Sequence, residues 1–335
     1  MRMPDIKTTI LVTGGAGYIG SHVARELLAR GYGVAVFDRA PVPPGLRTLG
    51  GPGLQAVQAD LAADGALDAA LDRFQPLATV HLAGDIAVGE SVENPGKYYR
   101  NNIVNGIRLL DALAARGPSC FVFSSSAAVY GMPRVTPIPE DHPTDPMSPY
   151  GRTKLIFEQI LRDYGAAHGL RSTALRYFNA AGADASGLLG EAHSPETHLV
   201  PLVLRAALGL SESIRIFGTD YPTRDGTCVR DYIHVSDLAA AHVLAVEALL
   251  DGAPGDVFNL GNGEGHSVRE VIAAAEAVAG RPIKAVESPR RSGDPAALVA
   301  SSQKAMQVLG WRPKYHELET IIRSAWSWHS SQRPA

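Results

Sequence analysis

Thr9-Ile10-Leu11-Val12-Thr13-Gly14-Gly15-Ala16-Gly17-Tyr18-Ile19-Gly20 decides the architecture. Its first five residues are a short apolar and β-branched run, which reads as a buried strand. The glycines that follow let the backbone turn tightly and approach a ligand closely. Val23, Leu27 and Leu28 then recur at helical spacing. Strand, glycine turn and helix in this order present free N–H groups and the positive end of a helix dipole to a pyrophosphate. Gly33-Val34-Ala35-Val36-Phe37 reads as the next strand and ends at Asp38. An acid there accepts hydrogen bonds from both ribose hydroxyls of NAD and repels the 2′-phosphate of NADP. Arg39, directly after it, is the residue that would welcome that phosphate.

The alternation continues outward from this unit. Residues 41–53 hold four prolines and four glycines and read as an irregular surface loop. A strand over 54–61 ends in Asp60-Leu61, a helix covers about 66–74, and a strand covers 78–84. Small residues at Ala83 and Gly84 suit a chain passing beneath a cofactor, and His81 reads as a packed core histidine. Asn101-Asn102 opens a long helix through Leu113, and Phe121-Val122-Phe123 is a strand ending in Ser124-Ser125-Ser126. Open α/β sheets bind ligands at the carboxyl ends of their strands.

Tyr150 and Lys154 stand four apart at the start of a helical pattern, so both project from one face. A cation beside a phenol lowers its pKa from about 10, and the pair then forms a proton shuttle. After the strand Arg171–Tyr177 the texture changes. Residues 183–232 are rich in Gly, Pro and His, with one clear helix over about 199–208. A helix over 236–250, a strand over 257–261 and a helix over 268–279 follow. The expected fold is therefore α/β, a Rossmann-type doubly wound parallel sheet with a smaller mixed α/β C-terminal substrate lobe. Residues 1–180 form the dinucleotide domain, joined again by about 233–262. Residues 181–232 and 263–335 form the lobe.

Composition narrows the function. The 335 residues are 45% hydrophobic and 19% charged, with net charge −3. These are the proportions of an ordinary globular protein. No basic patch recommends nucleic acid or an anionic membrane as the main partner. Cys120 and Cys228 make neither a disulfide framework nor a zinc site, and no metal ligands are assigned. No apolar stretch approaches the ~20 residues of a membrane span. Met1 to Thr9 is polar and lacks a signal-peptide core, so the cytoplasm is expected.

Several long motifs in the right order resemble the extended short-chain dehydrogenase/reductase family, and within it the UDP-glucose (UDP-galactose) 4-epimerases. They are residues 13–22, Ala87-Val88-Gly89-Glu90-Ser91-Val92, Ser124-Ser125-Ser126 with Val129-Tyr130-Gly131, and Ser148-Pro149-Tyr150-Gly151 with Lys154. Leu175-Arg176-Tyr177-Phe178-Asn179, Asp225-Gly226-Thr227, residues 230–235, Pro289-Arg290-Arg291, Gly293-Asp294 and Leu309-Gly310-Trp311 complete them, so the resemblance covers nearly the whole chain.

The resemblance implies that Tyr150 takes the sugar 4-OH proton, with Ser126 hydrogen-bonded to the same oxygen. Lys154 would contact the nicotinamide ribose and depress the Tyr150 pKa. NAD would accept the C4 hydride, and the 4-ketose would rotate about its diphosphate tether and take the hydride back on its other face. NAD would lie against Gly14, Gly17, Tyr18, Ile19, Asp38, Arg39, Asp60, Leu61, Leu82, Ala83, Gly84, Asn101, Ser124, Tyr150, Lys154 and Tyr177. The UDP-sugar would contact Ser126, Tyr150, Phe178, Asn179, His198, Leu199, Arg215, Phe217, Arg230, Arg291 and Asp294, with Leu298 gating the hexose pocket. A homodimer through helices near 102–115 and 150–165 is implied as well.

The departures matter too. Ala83-Gly84-Asp85-Ile86 lacks a lysine that is frequent in the family, and Leu298 lies between the tyrosine that excludes an N-acetyl group and the small residue that admits it. UDP-N-acetylglucosamine and UDP-pentoses therefore stay open beside UDP-glucose. A 4,6-dehydratase needs an acid and a base where Ala127-Ala128 stand. A nucleotide-sugar dehydrogenase and a non-catalytic NAD-binding regulator are the remaining alternatives.

Overall fold

The computed structural model describes residues 8–291 and 293–332; Met1 to Lys7, part of the polar N-terminal segment, lie outside them. The opening stretch gives β1 (Thr9–Thr13), α1 (Tyr18–Ala29) and β2 (Gly33–Asp38). Next come α2 (Pro44–Gly50), β3 (Leu54–Gln58), α3 (Ala66–Phe74) and β4 (Ala78–His81). α4 (Val88–Glu93), α5 (Pro95–Tyr98), a π-helical turn over Tyr99–Val104, α6 (Asn105–Ala114) and β5 (Cys120–Ser126) follow. Then come α7 (Pro149–His168), β6 (Arg171–Tyr177), β7 (Asn179–Ala181), α8 (Leu199–Ala207), β8 (Ile214–Phe217) and β9 (Val229–His234). The chain continues with α9 (Val235–Leu250), β10 (Val257–Leu260), β11 (Gly265–Ser267), α10 (Val268–Ala279) and β12 (Ala285–Ser288). It closes with β13 (Ala297–Leu298), α11 (Gln303–Val308) and α12 (Leu318–Ser331).

Seven strands form one parallel sheet in the order β10-β6-β5-β4-β1-β2-β3. The chain winds outward from β1 in both directions, so the order reverses between β1 and β4 and a crevice opens at their carboxyl ends. Thr13 pairs with Phe37 on one side and His81 on the other, which brings those ends level. The central strands β1, β2 and β4 are largely apolar because helices cover both faces, whereas the edge strand β3 is mostly exposed. Val23 and Leu27 of α1 join Leu238 and Val246 of α9 under one face. Leu71, Leu110 and Phe157, from α3, α6 and α7, fill the other. A separate core of Val203, Val271 and Ile322 joins α8, α10 and α12. Beside it, β9 lies between β11 and β13 and also pairs with β7, while β8 pairs with β12. No helix among the described residues is long and apolar enough to cross a membrane.

Three local expectations change. Within 41–53 lies a helix, because Pro44 pre-sets its first turn and Leu46 is buried against the core. Asn101-Asn102 does not start a helix. Helical backbone already begins at Pro95, with Tyr98 fully buried, and Asn102 serves as a bridge described below. Residues 183–232 contain β8 and the start of β9 besides the one helix. β8 needs β12 as its partner, far along the chain, and no local pattern announces that pairing. Ser124-Ser125-Ser126 end β5 as expected, paired with Leu175, Arg176 and Tyr177.

Candidate active site

The glycine turn is built for close backbone approach. Gly14 has φ +73°, and a Cβ on it would sit 2.5 Å from the Ala83 nitrogen. The turn after β1 thus rests on the chain leaving β4. A Cβ on Gly20 would lie 2.1 Å from the Gly14 carbonyl oxygen, so α1 leans directly on the turn. Gly17 precedes α1 and gives it no side-chain cap, and the first turn of the helix holds no acid. Its leading N–H groups therefore remain for an anion. This cradle, floored by Ala83 and Gly84, fits the pyrophosphate of a dinucleotide.

Asp38 stands at the end of β2. Its Oδ2 accepts from the Ala16 N–H and its Oδ1 from the Ala40 N–H, both at 2.9 Å. The carboxylate is thereby fixed beside the glycine turn, with lone pairs left over for a ribose. Arg39 is turned to the buried Asp85, at 3.6 Å, and Lys97 of α5 reaches the same carboxylate at 3.9 Å. The segment without the family lysine thus has two cations close to it. Asp60 accepts from the Ala62 N–H at 2.8 Å, Leu61 is buried beside it, and Asn101 accepts from Asn105. Ile19 and Leu82 are partly buried against the sheet core. Tyr18 donates to the Gly182 carbonyl at 2.7 Å, and burial pushes its phenol well above the ordinary value.

The tyrosine and lysine sit at the start of α7. Ser148 caps that helix by accepting from the Gly151 N–H, and Pro149 occupies its first position. Tyr150 and Lys154 are both buried. The Lys154 ammonium donates to the Ser124 carbonyl at 2.7 Å and lies 5.6 Å from the centre of the Tyr150 ring. The Ser126 hydroxyl lies beside the Tyr150 phenol and pulls its pKa down, and the Ser124 and Tyr177 hydroxyls hydrogen-bond each other. The five side chains gather at the carboxyl ends of β5 and β6. Burial lowers Lys154 to about 8, with Glu158 opposing the drop.

The expected depression of Tyr150 does not follow from this geometry. Burial raises the phenol, and Ser126 offsets only part of the rise. Lys154 is itself destabilised as a cation by burial and spends a proton on Ser124.

The arginines lie at a second corner. Arg230 on β9 is in register with Leu298 on β13. Arg230 donates to Asp294 at 2.6 Å and to the Pro295 carbonyl at 2.9 Å. Arg291 stacks 4.0 Å over the Phe217 ring. Arg215, exposed, and Phe217 alternate on β8 with the buried Ile214 and Ile216. Asn179 donates to the Asp231 carbonyl at 3.0 Å, and Leu199 opens α8. Leu298 and Phe178 pack with Ala127 and Val129, next to Ser126, and so connect this corner to Tyr150. His198 turns elsewhere, toward Glu191 and Glu196. Burial alone would lower it, yet the two carboxylates hold it up at about 10.

Three features were not read from the sequence. Glu158, one turn beyond Lys154, forms a buried forked pair with Arg176 of β6 at 2.9 and 2.6 Å, and Ser125 donates to it at 2.5 Å. Asn102 joins the Asp85 backbone to Thr153, tying the β4 loop to α7. Asp231 accepts from the N–H groups of Asn262, Gly263 and Ala300, and burial lifts it to about 6. Only Glu158 left a trace, as an acid at i+4 from Lys154 inside an apolar helix face.

Residues 10–261 match the NAD dependent epimerase/dehydratase family. The chain is 51% identical over 327 residues to a UDP-glucose 4-epimerase of Rhizobium meliloti (strain 1021), covering 96% of this chain and 97% of that one. A crystal structure of UDP-glucose-4-epimerase from Stenotrophomonas maltophila, with bound NAD and formylated UDP-arabinopyranose, superposes with TM-score 0.93 at 42% identity, covering 97% of this chain and 98% of that one. The UDP-Glc/GlcNAc 4-epimerase from Campylobacter jejuni gives 0.84 at 39% identity, covering 97% and 100%.

Proposed function

The chain belongs to the NAD dependent epimerase/dehydratase family, and from that premise we propose how its residues carry out the NAD-dependent 4-epimerisation of a UDP-sugar. One observation carries the reading. Ser126, Tyr150 and Lys154 converge at the carboxyl end of β5, and the next positions are Ala127 and Ala128. A proton shuttle is present, and the acid and base that water elimination needs are not at those positions.

NAD, when bound, accepts a hydride from the sugar C4 and returns it, and it brings a positively charged ring into the crevice. Tyr150, as phenolate, takes the proton from the sugar 4-OH and gives it back in the second half of the cycle. Ser126 holds the same oxygen and fixes the phenol. Lys154 keeps a cation near the phenol and offers its remaining protons to the nicotinamide ribose. Asp38 accepts from the adenosine ribose, and the Gly14–Gly20 turn receives the pyrophosphate. Arg230 and Arg291 hold the UDP diphosphate bidentately, Phe217 lies beside the uracil, and Asn179, Leu199 and Arg215 complete the grip. A tether on the diphosphate keeps the 4-keto sugar bound while it turns, which is where the binding energy of the non-reacting part is used. Leu298 and Phe178 shape the sugar pocket, for which UDP-glucose and UDP-galactose are the assigned pair.

We also infer a homodimer through residues 102–115 and 150–165, and a cytoplasmic location. Val104, 49% exposed on the first of these segments, supports the dimer. The decisive experiment offers the purified protein UDP-glucose, UDP-N-acetylglucosamine and UDP-xylose, with the products identified by NMR. UDP-galactose from UDP-glucose, with no net NADH, is expected. Conversion of none of the three overturns the assignment.

A further inference from the structure

A cluster of side chains outside the chemistry above gathers on the loop before α8. Glu191, His193, Glu196 and His198 each offer one donor atom, and the four atoms lie within 4.8 Å of one another. Glu191 Oε1 is 3.1 Å from His193 Nδ1 and 2.6 Å from His198 Nδ1. The Glu196 oxygens are 3.9 Å from His193 Nδ1 and 3.3 Å from His198 Nδ1. Four donors placed about 2.0–2.2 Å from one tetrahedral centre stand about 3.3–3.6 Å apart, the middle of this range.

The bonding within the cluster points the same way. His198 Nδ1 is buried and lacks a hydrogen-bond partner, although a carboxylate oxygen stands 2.6 Å away. The ring nitrogen and the oxygen are close without the alignment of donor and acceptor. His193 Nδ1, by contrast, hydrogen-bonds Glu191 Oε1 at 3.1 Å, and Glu196 Oε1 accepts from the Thr197 and His198 N–H groups, so an ion would displace the first of these bonds. Once an ion has displaced the proton that the carboxylates hold on His198, two neutral imidazoles and two carboxylates carry a charge of −2, which a divalent ion cancels. Nitrogen and oxygen donors in equal number suit a borderline ion such as Zn²⁺. The surroundings hold the ligands in place. The Trp328 indole donates to the Glu191 carbonyl at 3.2 Å and packs so closely on Gly190 that a Cβ there would overlap it. The His193 ring meets the edge of Tyr18 at 6.3 Å.

We propose that Glu191, His193, Glu196 and His198 form a structural divalent-cation site, with Zn²⁺ the fitting ion, that fastens the loop entering α8. The ion would tie that loop between Tyr18 of α1 and Trp328 of α12. His198 directly precedes Leu199, so the site sets where α8 begins. Binding displaces any proton held on the imidazoles, so it weakens as pH falls.

The full-length protein, stripped with EDTA and dialysed, is titrated with zinc chloride by calorimetry and examined by native mass spectrometry. One Zn²⁺ per chain is expected, with a rise in the unfolding midpoint. The His193→Gln/Glu196→Gln double variant should lose roughly 100-fold or more in affinity, beyond what second-sphere changes alone cause. Circular dichroism checks its fold. Substitution of Co²⁺ in the wild-type protein should give the visible absorption of a four-coordinate ion, a readout that needs no variant. Absence of stoichiometric Zn²⁺ from the wild-type protein overturns the proposal, and so does equal binding by a folded double variant.

Discussion

Replacing Glu158 by Gln removes one charge from a pair that has almost no access to water. The Arg176 and Glu158 side chains are 7% and 2% exposed. Arg176 donates to both carboxylate oxygens, and its Nη1 also reaches the Tyr130 hydroxyl at 3.0 Å and the Glu140 carbonyl at 3.3 Å. In Glu158→Gln the guanidinium keeps those neutral contacts and loses its counter-charge. Leaving one buried partner uncompensated costs about 3–5 kcal/mol. At about 2.1 cal/mol/K per residue, 335 residues carry about 0.7 kcal/mol/K of unfolding entropy. The midpoint should therefore fall by about 4–7 °C. Glu158 is also the charge that supports protonated Lys154, so the variant should lower the Lys154 pKa further below about 8. Differential scanning calorimetry reads the first effect and the pH profile of turnover the second. The double variant Glu158→Leu/Arg176→Met should recover most of the stability, because an apolar pair of similar volume often replaces a buried ion pair without loss. A midpoint shift under about 1 °C in Glu158→Gln would refute the reasoning, since Arg176 would then have no need of its partner.

Tyr150→Phe should lower turnover by about 10²–10⁴-fold, the range of a positioned general base, with NAD still bound by absorbance of the denatured supernatant; an active variant would remove Tyr150 from its assigned role. Leu298→Tyr should lower any turnover of UDP-N-acetylglucosamine relative to UDP-glucose, and an unchanged ratio of kcat/KM would show that another residue gates the pocket. Lys154 has a folded pKa lowered by burial to about 8, below its unfolded value of about 10.4, so the unfolded chain binds the extra proton between those values. The resulting penalty is full below pH 8 and fades as pH rises toward 10, so stability should climb over that window more steeply than in Lys154→Met. Parallel denaturant titrations of the two proteins check this, and equal slopes would count against a buried, destabilised ammonium.

Much of the sheet was legible because its signals are local. Thr9–Thr13, the glycine turn and the helical spacing of Val23 and Leu27 lie within twenty residues of each other, and each obeys its own periodicity. The helices 66–74 and 268–279 were likewise fixed by apolar spacing and their ends. Of the candidate residues, the structure brings Ser126, Tyr150, Lys154, Ser124 and Tyr177 together, and places Arg230, Asp294 and Leu298 at one corner. What escaped the sequence depends on partners distant along the chain. β8 is a strand only beside β12, and α2 is a helix because Leu46 finds the core.

The sequence by itself determined the alternation of strands and helices, the phosphate turn and the pairing of Tyr150 with Lys154 on one helical face, since all three follow from spacing along short stretches of chain, whereas the order of the strands in the sheet is a tertiary fact. The charge state of that pair was decided by tertiary structure. Solvent exclusion raises the phenol and lowers the ammonium, and the opposing carboxylate of Glu158 reaches Lys154 only because Arg176 holds it in the core. The same is true of Glu191, His193, Glu196 and His198, which the sequence did not single out together and whose four donor atoms only the folded loop brings within 4.8 Å of one another.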